Sequence, residues 1–473
     1  MDILLVFPPI TIKERYGGTS SGSEGHLPPL GIAYIAGYLE SKGLKVGLID
    51  APALNYTIDD ILEQVEKQKP AMIGISSITS TFHRAVLLAK KIKEKHPEIP
   101  IVLGGQHATI MKEKIHKEND CFDIVVYGEG ETTTYEIVKI NKEGNLKSEY
   151  LKKVKGILFN DKNKIIITEP RPPIEDLDSL PYPARHLLPI KKYVPLPNQY
   201  KRKPVVHMIM IRGCPFSCSF CSASAVFGKK IRYPSPERAV EEIKHVIGKY
   251  GAKEISFWDD MITVNKEWLD RFCSLIIQNK LDIVWSCYAR VDSVNLEMLK
   301  KMRQAGCWNI FYGIEAGDQQ LLNNINKGIT LEQSKNAVAW AKEACIEVRG
   351  SFMLCLPGET PELAKKTIAF AEELNPDYAQ FSLTTPYPGT KLYEEAEKYG
   401  RLTTDFKEYH GWSAVFIPYG YKSKEEALKI YKEAFRSFYM RPKYVLGRII
   451  KINSISDIKR YLNGFKFLFG FFK

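Results

Sequence analysis

Cys214, Cys218 and Cys221 stand on one short run, Arg212-Gly-Cys-Pro-Phe-Ser-Cys-Ser-Phe-Cys221. Three thiolates at this C-x3-C-x2-C spacing can hold a soft metal centre and leave one coordination position open. A four-iron cluster with an open iron binds a small molecule and passes it an electron. A structural zinc wants four closed ligands, and neither His207 nor Cys273 completes a finger-like or ribbon-like spacing. A disulfide framework is not expected either. The chain starts Met1-Asp2 with no charged and apolar leader, so a reducing cytoplasm is the expected compartment. Nine cysteines are present, and the six outside the loop (Cys121, Cys273, Cys287, Cys307, Cys345, Cys355) lie singly in apolar or periodic segments, as small core residues do.

With the aromatic Phe220 just before its last cysteine and a strand-like run (205–211) ahead of it, the loop resembles the cluster motif of the radical S-adenosylmethionine (SAM) superfamily. The resemblance implies a [4Fe-4S] cluster on Cys214, Cys218 and Cys221 whose open iron chelates the amino and carboxylate groups of SAM. It implies reductive cleavage of SAM to a 5′-deoxyadenosyl radical, and an external electron donor of the flavodoxin or ferredoxin kind.

The loop needs a scaffold. At 473 residues the chain has room for about two or three domains. A hydrophobic fraction of 44% with 26% charged residues describes an ordinary globular protein. The net charge of +12 raises nucleic acid, anionic membrane or anionic substrates as partners. No apolar stretch reaches the roughly 18 residues of a membrane span.

Over the first ~145 residues short apolar strands (2–7, 45–50, 72–76, 100–103, 124–127) alternate with helical periodicity (30–42, 58–68, 83–95, 132–140), which predicts a doubly wound parallel sheet. Such sheets bind ligands beyond the carboxyl ends of their strands. Four segments in order, Phe7-Pro8-Pro9, Leu27-Pro-Pro-Leu-Gly31, Gly104-Gly-Gln-His-Ala-Thr109 and Tyr127-Gly-Glu-Gly-Glu131, resemble the cobalamin-binding domain that precedes one class of radical SAM enzymes. This implies a corrinoid near Pro8, Ser76, Gly104, Gly105, His107, Gly128 and Glu129. The Asp-x-His-x-x-Gly loop of cobalamin proteins with a histidine lower ligand is absent. That fits a domain binding cobalamin without a histidine, or one that has lost the cofactor. His107 is either a lower ligand or a histidine hydrogen-bonded at its Gly-Gly turn.

Residues 149–203 read as a connector: a hairpin, then a proline-rich extended wrap that includes Leu180-Pro-Tyr-Pro-Ala-Arg185. From 204 to 424 six strand–helix units predict a partial (β/α)6, TIM-like barrel, with active residues at the strands' C-terminal ends. Asp259 and Asp260 are placed to bind the ammonium of SAM or a substrate hydroxyl, or, for Asp260, to cap a helix. Arg290 is placed for a bidentate pair with the methionine carboxylate, or for a surface salt bridge. Glu315 lies in Gly313-Ile-Glu-Ala-Gly317, whose glycines allow close approach of a ligand; the resembled family contacts SAM with this run, and with Phe220, Asp259 and Arg290 it forms the expected SAM set. Glu359 and Thr360 read as a helix start, and Tyr387 as a turn or substrate residue.

The last segment, 425–473, reads as helices. From 441 onward eight basic residues face one acid, Asp457, and Ile458, Tyr461, Leu462, Phe465, Leu468, Phe469 and Phe472 share one helical face. A basic amphipathic helix of this kind fits a membrane interface, or packs on the barrel. Nucleic acid is not expected, because the aromatics segregate from the basic groups. The fold class expected is therefore α/β: a Rossmann-like cobalamin-binding domain (1–148), a connector (149–203), a barrel (204–424) and a helical extension (425–473). The function expected is functionalisation of an unactivated carbon, by C-methylation of a small apolar molecule such as a lipid, isoprenoid, hopanoid-like compound or tetrapyrrole. Radical rearrangement or oxidative cyclisation is the alternative, and a non-catalytic iron–sulfur electron carrier is the alternative of another class. The expected place is the cytoplasm, at the inner face of the membrane if the tail docks there.

Overall fold

Strand β1 (Ile3–Phe7) is apolar on both faces and organises the first sheet. The computed structural model describes residues 1–11, 14, 25–193, 195–259 and 261–450. In it Ile3 and Leu5 pack with Ile32, Ala36 and Leu39 of the helix Leu30–Ser41 on one side. Leu4 and Val6 pack with Leu62, Leu88 and Ile92 of the helices Ile58–Gln68 and Phe82–Lys95 on the other. A strand buried on both faces must lie inside a parallel sheet covered by helices. Accordingly β2 (Val46–Asp50), β3 (Ile73–Ser76), β4 (Ile101–Gly104) and β5 (Ile124–Val126) join it in parallel in the order β2-β1-β3-β4-β5. The chain reverses direction of build at β1/β3, and ligands bind at such switch points.

The hairpin β6 (Ile157–Asp161) and β7 (Lys164–Ile167), read above as part of the connector, extends this sheet instead. β6 pairs antiparallel with β5, Val125 opposite Leu158, because its Ile157-Leu-Phe159 run is wholly buried there. The proline-rich stretch that follows contains four short 3-10 turns and lies between the two domains as packed structure. Ala184 N–H donates to the Ala33 carbonyl at 2.9 Å. Gly37 is required where the chain passes, since a Cβ there would overlap the Tyr182 carbonyl oxygen. Tyr193 donates to Asp50 at 2.6 Å. Arg185 is buried, pairs with Glu242 at 2.8 Å and donates to the His207 carbonyl at 3.2 Å.

The second sheet is six parallel strands in simple order: β8 (Val205–Met208), β9 (Glu254–Phe257), β10 (Val284–Ala289), β11 (Cys307–Glu315), β12 (Glu347–Leu354) and β13 (Tyr378–Leu383). Outward residues meet helices: Phe257 and Trp285 pack edge-on against Phe272 of the helix Lys266–Gln278 at 5.8 and 6.0 Å. Inward residues line an open half-barrel. A small antiparallel pair, β14 (Gly400–Leu402) and β15 (Phe416–Pro418), follows. The helix Lys424–Tyr439 then covers β13: Phe435 and Phe438 pack on Phe381, and the Tyr439 hydroxyl donates to the Ala379 carbonyl at 2.7 Å and accepts from its N–H. The edge strand is thereby covered rather than left open. The amphipathic run 458–472 and Asp260 lie outside the described residues.

Removing one partner of a buried ion pair leaves an uncompensated charge. Arg185→Met, which leaves Glu242 with only Arg238 at 3.6 Å, is expected to lower stability by about 3 kcal/mol. Urea unfolding of the full chain measures this, and a loss below about 1 kcal/mol would mean that the connector is held by other contacts.

Candidate active site

The cysteine loop leaves β8 and runs to the short helix Ala223–Phe227. Its start is pinned by reciprocal backbone hydrogen bonds between Arg212 and Arg232 (3.1 and 2.8 Å) and by Cys214 N–H to the Gly228 carbonyl at 3.0 Å. Gly213 has φ +93°, and a Cβ on it would overlap the Lys230 carbonyl; only glycine fits. The middle is pinned from the turn after the helix Gln319–Asn324, which follows β11. Ser219 N–H donates to the Ile325 carbonyl at 2.9 Å, and the Asn326 side-chain amide to the Ser217 carbonyl at 2.9 Å. Exposure grades along the triad: Cys214 is buried, Cys218 intermediate and Cys221 exposed.

Three strand ends converge on this loop. Arg290, just past β10, stacks on Phe216 (3.7 Å to the ring centroid) and directs Nη1 at Cys218 Sγ at 3.7 Å. Its fork is engaged by the two oxygens of Asp292 at 2.9 and 2.8 Å, and Nη2 also reaches the Lys327 carbonyl at 2.8 Å. Burial disfavours the charge, but Asp292 and Cys218 outweigh it and raise the guanidinium pKa. The structure therefore places Arg290 as a cation beside Cys218 rather than as an open carboxylate clamp. Glu315 ends β11 at φ +68°, past a register shift between Gly313 and Glu315. Its carboxylate lies over Gly313 and pairs with buried Lys327 at 2.6 Å. Lys327 Nζ in turn sits 5.6 Å from the centroid of Phe220. Phe220, Glu315 and Arg290 are thus brought together, with Lys327 and Asp292 added.

Asp259 is placed differently from the ammonium-binding role read above. It is 2% exposed, and Oδ1 accepts from Met210 N–H at 2.7 Å and Ile211 N–H at 2.6 Å. It fixes the chain as it leaves β8 toward the cysteines. Thr360 caps the helix Pro361–Leu374 as expected. Glu359 is buried, accepts from Cys355 N–H and from Tyr421 at 2.5 Å each, and burial pushes its pKa up to about 7. Tyr387 donates to the Tyr409 carbonyl at 3.2 Å, a turn contact.

The other cofactor position is a cleft with about 1350 Å³ of empty space, part of it open to solvent, between the C-terminal ends of the first sheet and the start of the barrel. Ser76, Gly104, Gly105, Gly128 and Glu129 line it; Pro8 and His107 do not. Gly105 is required there, since at φ +97° a Cβ would overlap the Ser77 carbonyl. His107 is 1% exposed, has Nδ1 3.2 Å from Thr79 Oγ1, and packs against Phe82 (4.2 Å) and Phe406 (5.6 Å). Burial lowers its pKa to about 4. It is a core histidine, not a ligand reaching the cleft. The open volume, the glycine-bordered sheet edge and the apolar wall of Leu5, Ile75, Val102 and Val126 fit a flat macrocycle lying on the strand ends.

The two positions share buried charge. Glu131, lining the cleft, pairs with Arg212 at 2.5 Å; Glu129 pairs with Arg232 at 2.7 Å and Arg212 at 3.4 Å, and accepts from Ile174 N–H at 2.8 Å. Tyr34 donates to the Ile209 carbonyl at 2.8 Å beside them. None of these arginines, nor Lys327, was singled out from the sequence. Arg212 carried a signal, standing two residues before the first cysteine; Lys327 carried only the turn glycine that follows it.

Comparison with known proteins agrees with this geometry. Residues 20–138 match the B12 binding domain and residues 208–371 the Radical SAM superfamily. The chain is 37% identical to an uncharacterised methyltransferase of Pyrococcus horikoshii over 98% of both proteins. It is 31% identical to an anaerobic magnesium-protoporphyrin IX monomethyl ester cyclase of Rubrivivax gelatinosus, over 90% of this chain and 76% of the relative. Its fold matches the radical S-adenosylmethionine methyltransferase TsrM of Kitasatospora setae, solved with cobalamin and a [4Fe-4S] cluster bound, with a TM-score of 0.73 at 15% identity over 99% of this chain and 98% of the other. A cluster loop and a corrinoid cleft joined by one set of ion pairs, on two domains that both match, mean that the chain belongs to the cobalamin-binding radical SAM enzymes.

Proposed function

We propose that this protein is a cobalamin-dependent C-methyltransferase acting at an unactivated carbon of a small molecule. The observation that carries the reading is that Arg212, Val226 and Phe227 flank the cysteine loop and also line the cleft, where Arg212 pairs with Glu129 and Glu131, so both cofactor positions border one interior. When bound, the reduced cluster supplies the electron that cleaves SAM, and the corrinoid supplies a transferable methyl group. The chain's own residues do the rest. Cys214, Cys218 and Cys221 hold the cluster, and the Arg290 guanidinium lies beside Cys218 with Nη1 3.7 Å from its Sγ. Glu315, paired with Lys327 under Phe220, offers a carboxylate to the amino group of SAM. Asp259 holds Met210 and Ile211, and so the entry to the loop. Trp258, Tyr288 and Phe311 wall the barrel interior with apolar surface, which suits a substrate with an apolar body and keeps water from the reacting carbon.

The protein works in the cytoplasm and touches the membrane surface through its C-terminal part. On the helix Pro442–Ile450, Leu446 is 59% and Ile450 80% exposed, beside basic residues that continue toward 473. No described helix is long and apolar enough to cross a membrane.

Anaerobically reconstituted protein with dithionite is expected to release 5′-deoxyadenosine from SAM, and the Cys214→Ala, Cys218→Ala, Cys221→Ala variant to release none. No cleavage by the wild type would defeat the enzymatic reading. Product mass separates the two chemistries: a gain of one methylene means methylation, and a loss of hydrogen with ring closure means the cyclase alternative. Lys327→Met is expected to raise the KM for SAM about tenfold with a smaller effect on kcat; an unchanged KM would remove the Glu315–Lys327 pair from the SAM site. The full chain should co-sediment with phosphatidylglycerol vesicles more than with phosphatidylcholine vesicles. Removing 451–473 together with Leu446→Ser and Ile450→Ser should abolish this, and equal sedimentation of the two proteins would end the membrane reading.

A further inference from the structure

The register of the barrel places three large side chains in one row. Tyr288 pairs with Phe311 and Phe311 with Arg349. Register partners in a parallel sheet project to the same face. The opposite face is fixed by Trp285, which packs on helix residue Phe272. Tyr288, Phe311 and Arg349 therefore face the interior. Tyr288 and Phe311 meet edge-on at 5.1 Å, and Trp258 joins them at 5.9 Å from Tyr288. The Arg349 guanidinium lies 4.8 Å from the Phe311 centroid and 5.7 Å from that of Tyr288.

Arg349 is 4% exposed, yet among the described residues it has no carboxylate partner. Its hydrogen bond there is Nε to Asn309 Oδ1 at 2.7 Å. That bond fixes the Asn309 amide with its oxygen on Arg349. Asn309 Nδ2, on a residue with 0% exposure, is left without a hydrogen-bond partner. The acid that faces Arg349 electrostatically is Glu254. Its oxygens are taken by Lys201 N–H and Arg202 N–H at 2.7 Å each and by the Trp308 indole at 2.9 Å, and burial pushes its pKa up to about 7. A buried amide donor with no acceptor, beside a buried guanidinium with no carboxylate partner among the described residues, is costly to hold, and a native fold that keeps the two side by side is explained by an acceptor that arrives from outside.

The next row up, toward the cysteines, is Gly313 with Ser351. Glu315 and Lys327 fill the space over Gly313, but Tyr288, Phe311 and Ser351 are each part-exposed, and at about 3.3 Å per residue Arg349 lies roughly 10 Å below Glu315.

We infer that Arg349 and Asn309 form an anion-recognition site on the barrel floor, which takes a carboxylate or phosphate group of the substrate while the aromatic row holds its flat or apolar body. This rests on reading the barrel as the reaction chamber. It narrows the substrate from a wholly apolar molecule to one with an acidic end.

Binding alone tests it, apart from turnover. Calorimetry on the reconstituted full chain with SAM uses phenylacetate, phenyl phosphate and neutral phenylacetamide as probes. Wild type should bind one or both anions at least about tenfold tighter than the amide. The tighter of the two names the group. In Arg349→Met the anion preference should disappear while amide affinity stays within about threefold, and Arg349→Lys should keep part of it. Asn309→Asp, which offers Arg349 an internal carboxylate and should keep the fold if Arg349→Met does not, should also abolish the preference. Equal affinity for phenylacetate, phenyl phosphate and phenylacetamide in wild type, or an anion preference that survives in the folded variants, overturns the site. Failure of wild-type SAM cleavage overturns the reaction-chamber reading instead, and the two failures are read in separate assays.

Discussion

The arrangement of both cofactor positions hangs on four buried charges: Glu129 and Glu131 from the loop after β5, Arg212 from the start of the cysteine loop and Arg232 from the strand segment beside it. Burying ions costs several kcal/mol each, and the cost is offset only when geometry is good and the remaining hydrogen-bonding capacity is filled. Here much of it is filled: Arg232 also donates to the Ile174 and Phe227 carbonyls, and Glu129 Oε2 also accepts from Ile174 N–H. The consequence is directional. Carboxylates belonging to one domain hold a guanidinium whose backbone is the other domain's cluster loop, so neither domain can rotate without uncovering charge.

Around the cysteines the same principle works at shorter range. Arg290 satisfies Asp292, Cys218 and the Lys327 carbonyl at once, and Lys327 satisfies Glu315. The turn 325–327 therefore touches the cluster loop through backbone, through Asn326 and through Lys327. Left-handed backbone at Glu315 (φ +68°) and at Asn326 (φ +51°) costs energy that these contacts offset.

Much of this was legible in the residues. The cysteine triad is contiguous, so its chemistry needs no tertiary knowledge. Glu315 is betrayed by its flanking glycines, and β1 by an apolar run too continuous for a surface strand. What escaped reading depends on partners far away in the chain. Asp259 at a strand end looks the same whether it faces a ligand or caps the amides of Met210 and Ile211. His107 beside a Gly-Gly turn resembles a ligand until Phe406, from the segment after β14, closes over it. The hairpin 157–167 carries ordinary strand patterning, and nothing local says that β5 is its neighbour. Lys327 precedes a turn glycine as surface lysines do, and only the bulge at Gly313–Glu315 turns a carboxylate toward it.

The graded burial of the triad also has a cost in an aerobic world. Cys214 sits inside the core cluster, whereas Cys221 stands at the surface just ahead of the short helix Ala223–Phe227. Cover over the triad is least at Cys221, which makes that side the open approach to the centre. Iron and sulfide during loading, the reductant in each cycle, and dioxygen when anaerobiosis fails all approach through the same window. A protein that opens this face to its electron source thereby opens it to corrosion, and the oxidative lesion should begin at Cys221.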